Sequence, residues 1–589
     1  MSGPREAIGD SQATRDGEKL LRSAFFSDRA TLLITVLLST GMSLLALTTS
    51  FYMLQVYDRV LVSRSVETLL LISIIAVVAI AVFGLLDSIR TRILVRYSMR
   101  SADALAGLVL RAMISTSSQR GGVSARNGLR DLDTIRAFFS SPGVVALIDA
   151  PFLLIYLVVL LCLHAVFLGI VVGSAVLLVG LAVLNQKLTK PIVTEAIAEA
   201  MAAESFAMDG LQSVDVLEGM GMSSAFVSRW RSKWISSLRL TASGTDRDSK
   251  LTSMSKVVRL LAQICLLGAG AILILKFRAT GGIMIGASII GARALAPIEG
   301  VVGAWKNVIS ARGAWSRLAL LLGAAPAREE GMALPTPQGR LSAVNVYYAV
   351  PQTRRTVLAN VNFELEPGQA LGIIGPSGSG KSTLLRVLSG AWPCSGGVVR
   401  LDSGDIHKWP RAQLGPHIGY LPQRAELFSG TIRENIARME TGDPEMVVRA
   451  AVQAHAHEMI LGLPSGYDTL VGASGHRLSG GEAQRIAIAR TFYGEPKLIL
   501  LDEPNANLDG DGERALVQAL RALRSQGVSL VVVAHRPTIL DFVDRVLVLR
   551  PNGTVHAFGE RDEIIRRFSN GEAALGGSRL ELAGGAVRS

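Results

Sequence analysis

The chain has 589 residues, of which 49% are hydrophobic and only 18% charged, with a net charge of +12. That length and apolar fraction exclude one ordinary soluble domain. The basic balance sits in segments between apolar runs, the pattern of a membrane protein with positive loops inside, and no aromatic-plus-basic stripe of a nucleic-acid binder accompanies it. Cys162, Cys265 and Cys394 are scattered and odd in number, which excludes a disulfide framework and metal-ligand spacing.

In chain order, residues 1–29 are polar and charged and read as a cytoplasmic tail. The first apolar run, Thr31–Tyr52, is long enough for a bilayer, which takes about 20 residues. It lacks a small-residue cleavage site, so it reads as a retained span rather than a signal peptide. Further runs cover Val66–Leu86, Ala150–Leu184, Met254–Leu275 and Gly282–Val302. The Ala150–Leu184 run is anomalous, since as one helix it would measure about 52 Å against a hydrocarbon core of about 30 Å.

Charge settles its parity. Arg90–Arg136 and Lys187–Lys256 are rich in Lys and Arg and belong on the cytoplasmic side. Two crossings must separate them, with a tight external turn near Leu163–His164 and a first helix that begins close to Val144. Six spans result, both chain ends inside, with further external turns at Asp58–Ser65 and Lys276–Gly281. Apolar spacing in Ala102–Ile114 and Ala196–Leu211 predicts that spans continue as helices into the cytoplasm. His164 reads as a polar turn residue rather than a ligand or proton switch. Asp149, before Pro151, reads as a helix-start feature at the cytoplasmic edge rather than an ion site.

A linker over residues 324–340 follows the membrane domain of residues 30–323. From Leu341 to residue 570, β-rich runs alternate with helical ones, which predicts a mainly parallel sheet flanked by helices. Gly375-Pro376-Ser377-Gly378-Ser379-Gly380-Lys381-Ser382-Thr383 fits the pattern G-x-x-x-x-G-K-[ST], between an apolar strand, Ala370–Ile374, and a helical stretch, Thr383–Leu388. In that setting backbone N–H groups and a helix N-terminus cradle phosphates, Lys381 reaches the β- and γ-phosphates, and the Ser382 hydroxyl ligates Mg²⁺. The apolar strand Leu498–Leu501 ends in Asp502 and Glu503. Asp502 is placed to hold Mg²⁺, and Glu503 to act as the base that polarises the attacking water.

Leu478-Ser479-Gly480-Gly481-Glu482 resembles the LSGGQ signature of ABC ATPases, with Glu482 in place of Gln. Gln423, in Tyr420-Leu421-Pro422-Gln423, matches that family's glutamine loop, Asn507-Leu508-Asp509 the loop that crosses its dimer interface, and His535 its switch histidine. The resemblance implies ATP with Mg²⁺ as cofactor, Gln423 as a further Mg²⁺ ligand, and Gln423 and His535 beside Glu503 in catalysis. It also implies that Ser479, Gly480, Gly481 and Asp509 act on nucleotide held by the opposite monomer of a homodimer. Tyr348 is the candidate for stacking on adenine; Val350 stands at the usual position, and a packed strand residue is the equal alternative for Tyr348. Ala473 stands where many exporters carry Glu.

The membrane half resembles type I secretion ABC exporters of the protease-exporting subfamily. The resemblance is carried by Tyr52-Met53-Leu54-Gln55-Val56-Tyr57-Asp58-Arg59-Val60-Leu61, Leu147-Ile148-Asp149-Ala150-Pro151-Phe152, Leu217-Glu218-Gly219-Met220-Gly221-Met222 and Ala292-Arg293-Ala294-Leu295-Ala296-Pro297-Ile298-Glu299. It implies an all-α, six-helix ABC exporter transmembrane domain fused to an α/β P-loop nucleotide-binding domain, in a bacterial inner membrane. It also implies export of an unfolded polypeptide with an uncleaved C-terminal signal, through a periplasmic membrane fusion protein and an outer-membrane channel. Cargo with Gly-rich Ca²⁺-binding repeats is the family expectation. A lipid or drug exporter is the alternative, because a shared fold does not fix the cargo. The N-terminal tail is too short to fold as a processing domain, and the Gly/Ala-rich Gly571–Ser589 is expected to be disordered.

Overall fold

A computed structural model of the protein describes residues 4–120, 127–211, 213–276, 279–324, 334–351, 353–472, 475–534 and 537–569. It divides into two compact units, one of residues 1–117 and 121–326, the other of residues 118–120 and 327–589.

The first unit is helical. Residues of the expected tail form a helix, α1 (Pro4–Phe26). Leu21 and Phe25, one turn apart on one face, are fully buried against Leu105, Val109, Leu132, Ile135 and Leu318. Asp28 then caps α2 (Arg29–Leu45), accepting from the Thr31 N–H at 3.1 Å. Next come α3 (Thr48–Gln55), a single π-helical turn (Val56–Val60) and α4 (Val66–Arg120).

The chain continues through α5 (Gly128–Phe139), α6 (Pro142–Asp149), a 3₁₀ turn over Ala150–Phe152, and α7 (Leu153–Leu163). After His164 follow α8 (Ala165–Leu211), α9 (Val214–Gly219), α10 (Ser223–Leu275), α11 (Gly281–Gly303) and α12 (Trp305–Ala324). Among the described residues six segments are long and apolar enough to cross a membrane: Arg29–Ser63, Val66–Ser117, Pro142–Leu163, Ala165–Leu211, Ser223–Leu275 and Gly281–Gly303.

The long apolar run does split in two, at an extended His164 (φ −173°, ψ 139°) whose Nδ1 accepts from the Val166 N–H. The expected turn Asp58–Ser65 is shorter than drawn. Helix persists through the π-turn and Leu61–Ser63, and the reversal is made at Arg64 in the left-handed region (φ 53°). Spans such as α2 and α4 leave Leu33, Leu37, Leu71, Ile75 and Val77 exposed, as a lipid-facing surface requires. α11 is the most enclosed span, and small residues such as Gly286, Ala287 and Gly291 let it approach its neighbours. A Cβ at Gly291 would sit 2.3 Å from Leu266.

The second unit carries two main sheets. β1 (Leu341–Ala349), β2 (Thr356–Leu365), β4 (Gly396–Leu401) and β5 (Gly404–Asp405) form an antiparallel sheet in the order β2-β1-β4-β5. β3 (Ala370–Ile374), β6 (Ile418–Leu421), β9 (Leu498–Asp502), β10 (Ser529–Val533), β11 (Arg545–Leu549) and β12 (Val555–Glu560) form the second, ordered β12-β11-β3-β10-β9-β6. Only β12 is antiparallel there. β7 (Gly430–Thr431) and β8 (Leu470–Val471) pair separately. β3, β9 and β10 are buried along their whole length, which is why each reads as an unbroken apolar run rather than an alternating one.

Candidate nucleotide site

Parallel pairing brings the chemistry to one edge. Val533 is in register with Ile373 on one side and with Asp502 on the other. The C-terminal ends of β3 and β9 therefore flank β10 at one level, the edge at which open α/β sheets bind ligands.

From β3 the chain turns through Gly375-Pro376-Ser377-Gly378-Ser379 into α13 (Lys381–Leu388). Two glycines make the turn possible. Gly375 has φ +156° and a Cβ there would meet the Leu549 carbonyl at 2.7 Å; Gly380 has φ +93° and caps α13. Ser377 and Gly378 are exposed on the loop, Ser379 is buried, and Ser382 and Thr383 open the helix. Lys381 is buried, and its Nζ donates to the carbonyls of Gly375 and Pro376 at 2.8 and 3.0 Å. The ammonium is thus folded over its own loop, in the ring of groups where a phosphate belongs. Burial pulls its pKa down, against the pull of Glu503 and Asp502.

Asp502 is 1% exposed. Burial pushes its carboxyl up; the Ser382 hydroxyl, Arg386 and Lys381 act the other way. Its Oδ1 is buried with no hydrogen-bond partner among the described residues, and so is Ser379 Oγ. The orphaned Asp502 oxygen, with the Ser382 hydroxyl beside that carboxylate, is an oxygen-donor set that suits Mg²⁺. Glu503 follows in the left-handed region at φ 49°, an uncommon and costly conformation for a residue with a side chain. It accepts from Gln423 Nε2 at 3.2 Å. The loop after β6 thereby brings Gln423 to the acidic pair. His535 and Ala473 lie outside the described residues.

Ser479, Gly480, Gly481 and Asp509 form a second group. Ser479 is the N-cap of α14 (Gly480–Phe492): its Oγ accepts from the Glu482 N–H at 3.3 Å and its own N–H donates to Glu482 Oε2 at 2.7 Å. That reciprocal pair is a capping box, and it holds the Glu482 carboxyl below its usual range. Asp509 caps α15 (Gly510–Ser525), accepting from the Gly512 N–H at 2.8 Å, and pairs with Arg485 at 3.6 Å. Ser479, Gly480 and Asp509 are exposed. Among the described residues no hydrogen bond joins this group to the phosphate loop.

Tyr348 is a correction. The residue is 4% exposed in the core of the antiparallel sheet, with its ring stacked on Trp392 at 5.1 Å and 22°. Alternation along β1 points it inward, so it is the packed strand residue and offers no free face to adenine. Arg386 covers Trp392 in turn, 4.7 Å from the ring centroid.

Sequence reasoning also missed a polar cluster in the first unit. Arg90, 5% exposed at its side chain, donates to both Asp149 oxygens at 2.8 and 3.1 Å, to Asp87 at 2.8 Å and to Ser39 at 3.0 Å. Asp149 does stand at the N-cap position of the Ala150–Phe152 turn, but its side chain makes no cap hydrogen bond and serves Arg90 as an ion-pair partner instead. The overlooked signal was Arg90 itself, a cation on the inner flank of an otherwise apolar span.

Residues 358–506 match the ABC transporter family. The chain is 39% identical to the type I secretion system ATP-binding protein PrsD of Rhizobium meliloti, across 94% of this chain and 95% of that one. It is 28% identical to the leukotoxin translocation ATP-binding protein LktB of Mannheimia haemolytica, across 92% and 77%. Its fold matches a bacterial Atm1-family ABC exporter solved with ATP bound, at a TM-score of 0.78 and 22% identity, across 93% of this chain and 99% of that one. Six apolar spans, an ATPase domain that couples hydrolysis to transport and this full-length likeness together make the chain a member of the type I secretion system ABC transporters.

Proposed function

We propose that two copies of this chain close over two ATP molecules and export an unfolded polypeptide across the bacterial inner membrane. The single observation that carries this is the separation of the site into two groups. Lys381, Ser382, Asp502 and Glu503 gather at the sheet edge, whereas Ser479, Gly480 and Gly481 present a capped helix N-terminus to solvent. A helix N-terminus with free N–H groups favours an anion, and a second copy can supply it to the phosphate that Lys381 holds. The C2 pairing makes both sites equivalent.

In this reading Ser382, Asp502 and Gln423 hold Mg²⁺, which supplies charge neutralisation at the β- and γ-phosphates when bound. Lys381 exchanges its loop carbonyls for phosphate oxygens. Glu503 orients and polarises the attacking water, with Gln423 holding its carboxylate. His535 contacts the γ-phosphate region, and Asp509 reaches across the interface. Binding favours the closed pair and hydrolysis releases it. Both chain ends lie in the cytoplasm, and a periplasmic membrane fusion protein and an outer-membrane channel carry the cargo onward.

The names of PrsD and LktB support a polypeptide cargo. ATPase activity of the purified chain that responds to a C-terminal cargo peptide supports export of protein; stimulation by lipid or drug alone overturns it. Glu503→Gln is expected to abolish turnover and keep ATP binding. Unchanged turnover would remove Glu503 from the role of base.

A further inference from the structure

Five helices of the first unit, α2, α4, α6, α7 and α11, surround a cavity of about 270 Å³ whose charged lining is Asp87, Arg90, Asp149 and Arg293. Three of these four are mutually committed. Arg90 binds both carboxylates, and its side chain is 5% exposed. Arg293, on α11, is exposed and makes no ion pair or hydrogen bond among the described residues. The one carboxylate of its own helix, Glu299, is bound to Arg259 at 2.7 Å.

The position of Arg293 is what makes this informative. It stands 12 residues from Gly281 and 10 from Gly303, about 18 and 15 Å along the axis, and so within the span, where it shares its cavity with the inner-flank residues Arg90 and Asp149. A cation at that depth is costly unless it faces a polar cavity or a partner. The lining around it, Ser43, Tyr156 and the Arg90 cluster, is polar enough for water. Arg90 Nε is itself buried without a partner. The cavity thus offers one free guanidinium, with its native carboxylates already occupied.

We propose that this cavity is a carboxylate-binding station on the export path, at which Arg293 takes the acidic side chains of a passing polypeptide. The guanidinium fork is suited to planar, bidentate capture of a carboxylate. A single weak station of this kind guides a chain without trapping it. The proposal rests on the polypeptide-export reading and adds a chemical preference to it.

Binding of a fluorescent Glu/Gly peptide and of its Gln/Gly counterpart of equal length to the purified full-length protein tests it, by anisotropy at low and high salt. The Glu/Gly peptide is expected to bind about tenfold tighter or more, with the preference fading as salt screens it. Arg293→Gln should remove the preference, and Arg293→Lys, which keeps the charge and guards against a folding defect, should retain part of it. Equal binding of both peptides overturns the station and leaves polypeptide export standing; binding of neither overturns both. A preference that survives Arg293→Gln, with dimer stability lowered instead, would assign Arg293 to a carboxylate of a second copy and overturn the proposal.

Discussion

Glu482 occupies the position at which the ABC signature ordinarily carries glutamine, and the capping box accounts for the exchange. At the third position of a helix either side chain can reach back to the N-cap N–H. Glu482→Gln should therefore leave α14 intact, whereas Glu482→Ala should cost about 1 kcal/mol locally, measured as faster amide exchange across residues 479–485. The Ser479 N–H holds the carboxyl below its usual range. Its folded pKa lies below the unfolded value, so the stabilising effect is complete above the unfolded pKa and is lost as pH falls through the folded one. The wild-type advantage over Glu482→Ala should shrink in that acid window. At this scale the sequence was legible where backbone geometry dictates residue type, as at Gly375, Gly380 and Lys381. It was ambiguous at Tyr348, because alternation alone cannot say which side of a strand faces ligand and which faces core.

At the scale of elements, the run from Ala150 to Leu184 shows why charge parity outperforms length. Only the cationic flanks reveal that it must cross twice, and only His164 marks where. The ties between spans left fainter traces. Arg90 joins Ser39 of α2, Asp87 of its own helix and Asp149 of α6, contacts between residues up to 59 positions apart that no periodicity encodes. Arg90→Ala would leave two carboxylates without their cation, but solvent reaches both, with side chains 50% and 27% exposed, so the cost falls below the roughly 3–5 kcal/mol of breaking a fully buried pair. A lower unfolding temperature in detergent should report it, with a milder loss for Asp149→Asn. The helix α1 was hidden for another reason. Its Leu21 and Phe25 face carries a clear i, i+4 signal, but a mean composition dominated by charge masks so short a stripe.

For the whole molecule, the sharpest expectation concerns the division of each site between two chains. Lys381→Ala damages the phosphate loop and Ser479→Arg obstructs the capped helix end. Each variant alone should be inactive. In an equal mixture half the dimers combine one of each, and these hold one site with both defects and one intact site. Activity should recover to at most about a quarter of wild type. No recovery after confirmed subunit exchange would show that the two groups serve one chain.

The joint at Asp58 has a mechanical consequence. Its carboxylate accepts from Thr280 Oγ1 at 2.6 Å and from the Gly282 N–H at 2.9 Å, capping α11 from the π-turn of the first span, and a Cβ at Gly282 would sit 2.6 Å from that carboxylate. The first and sixth spans are thus riveted at this end by two hydrogen bonds, a tie that favours their moving together. Any parting of the helices there has to open along another seam, and bulk at residue 282 would loosen the rivet before it disturbed either helix.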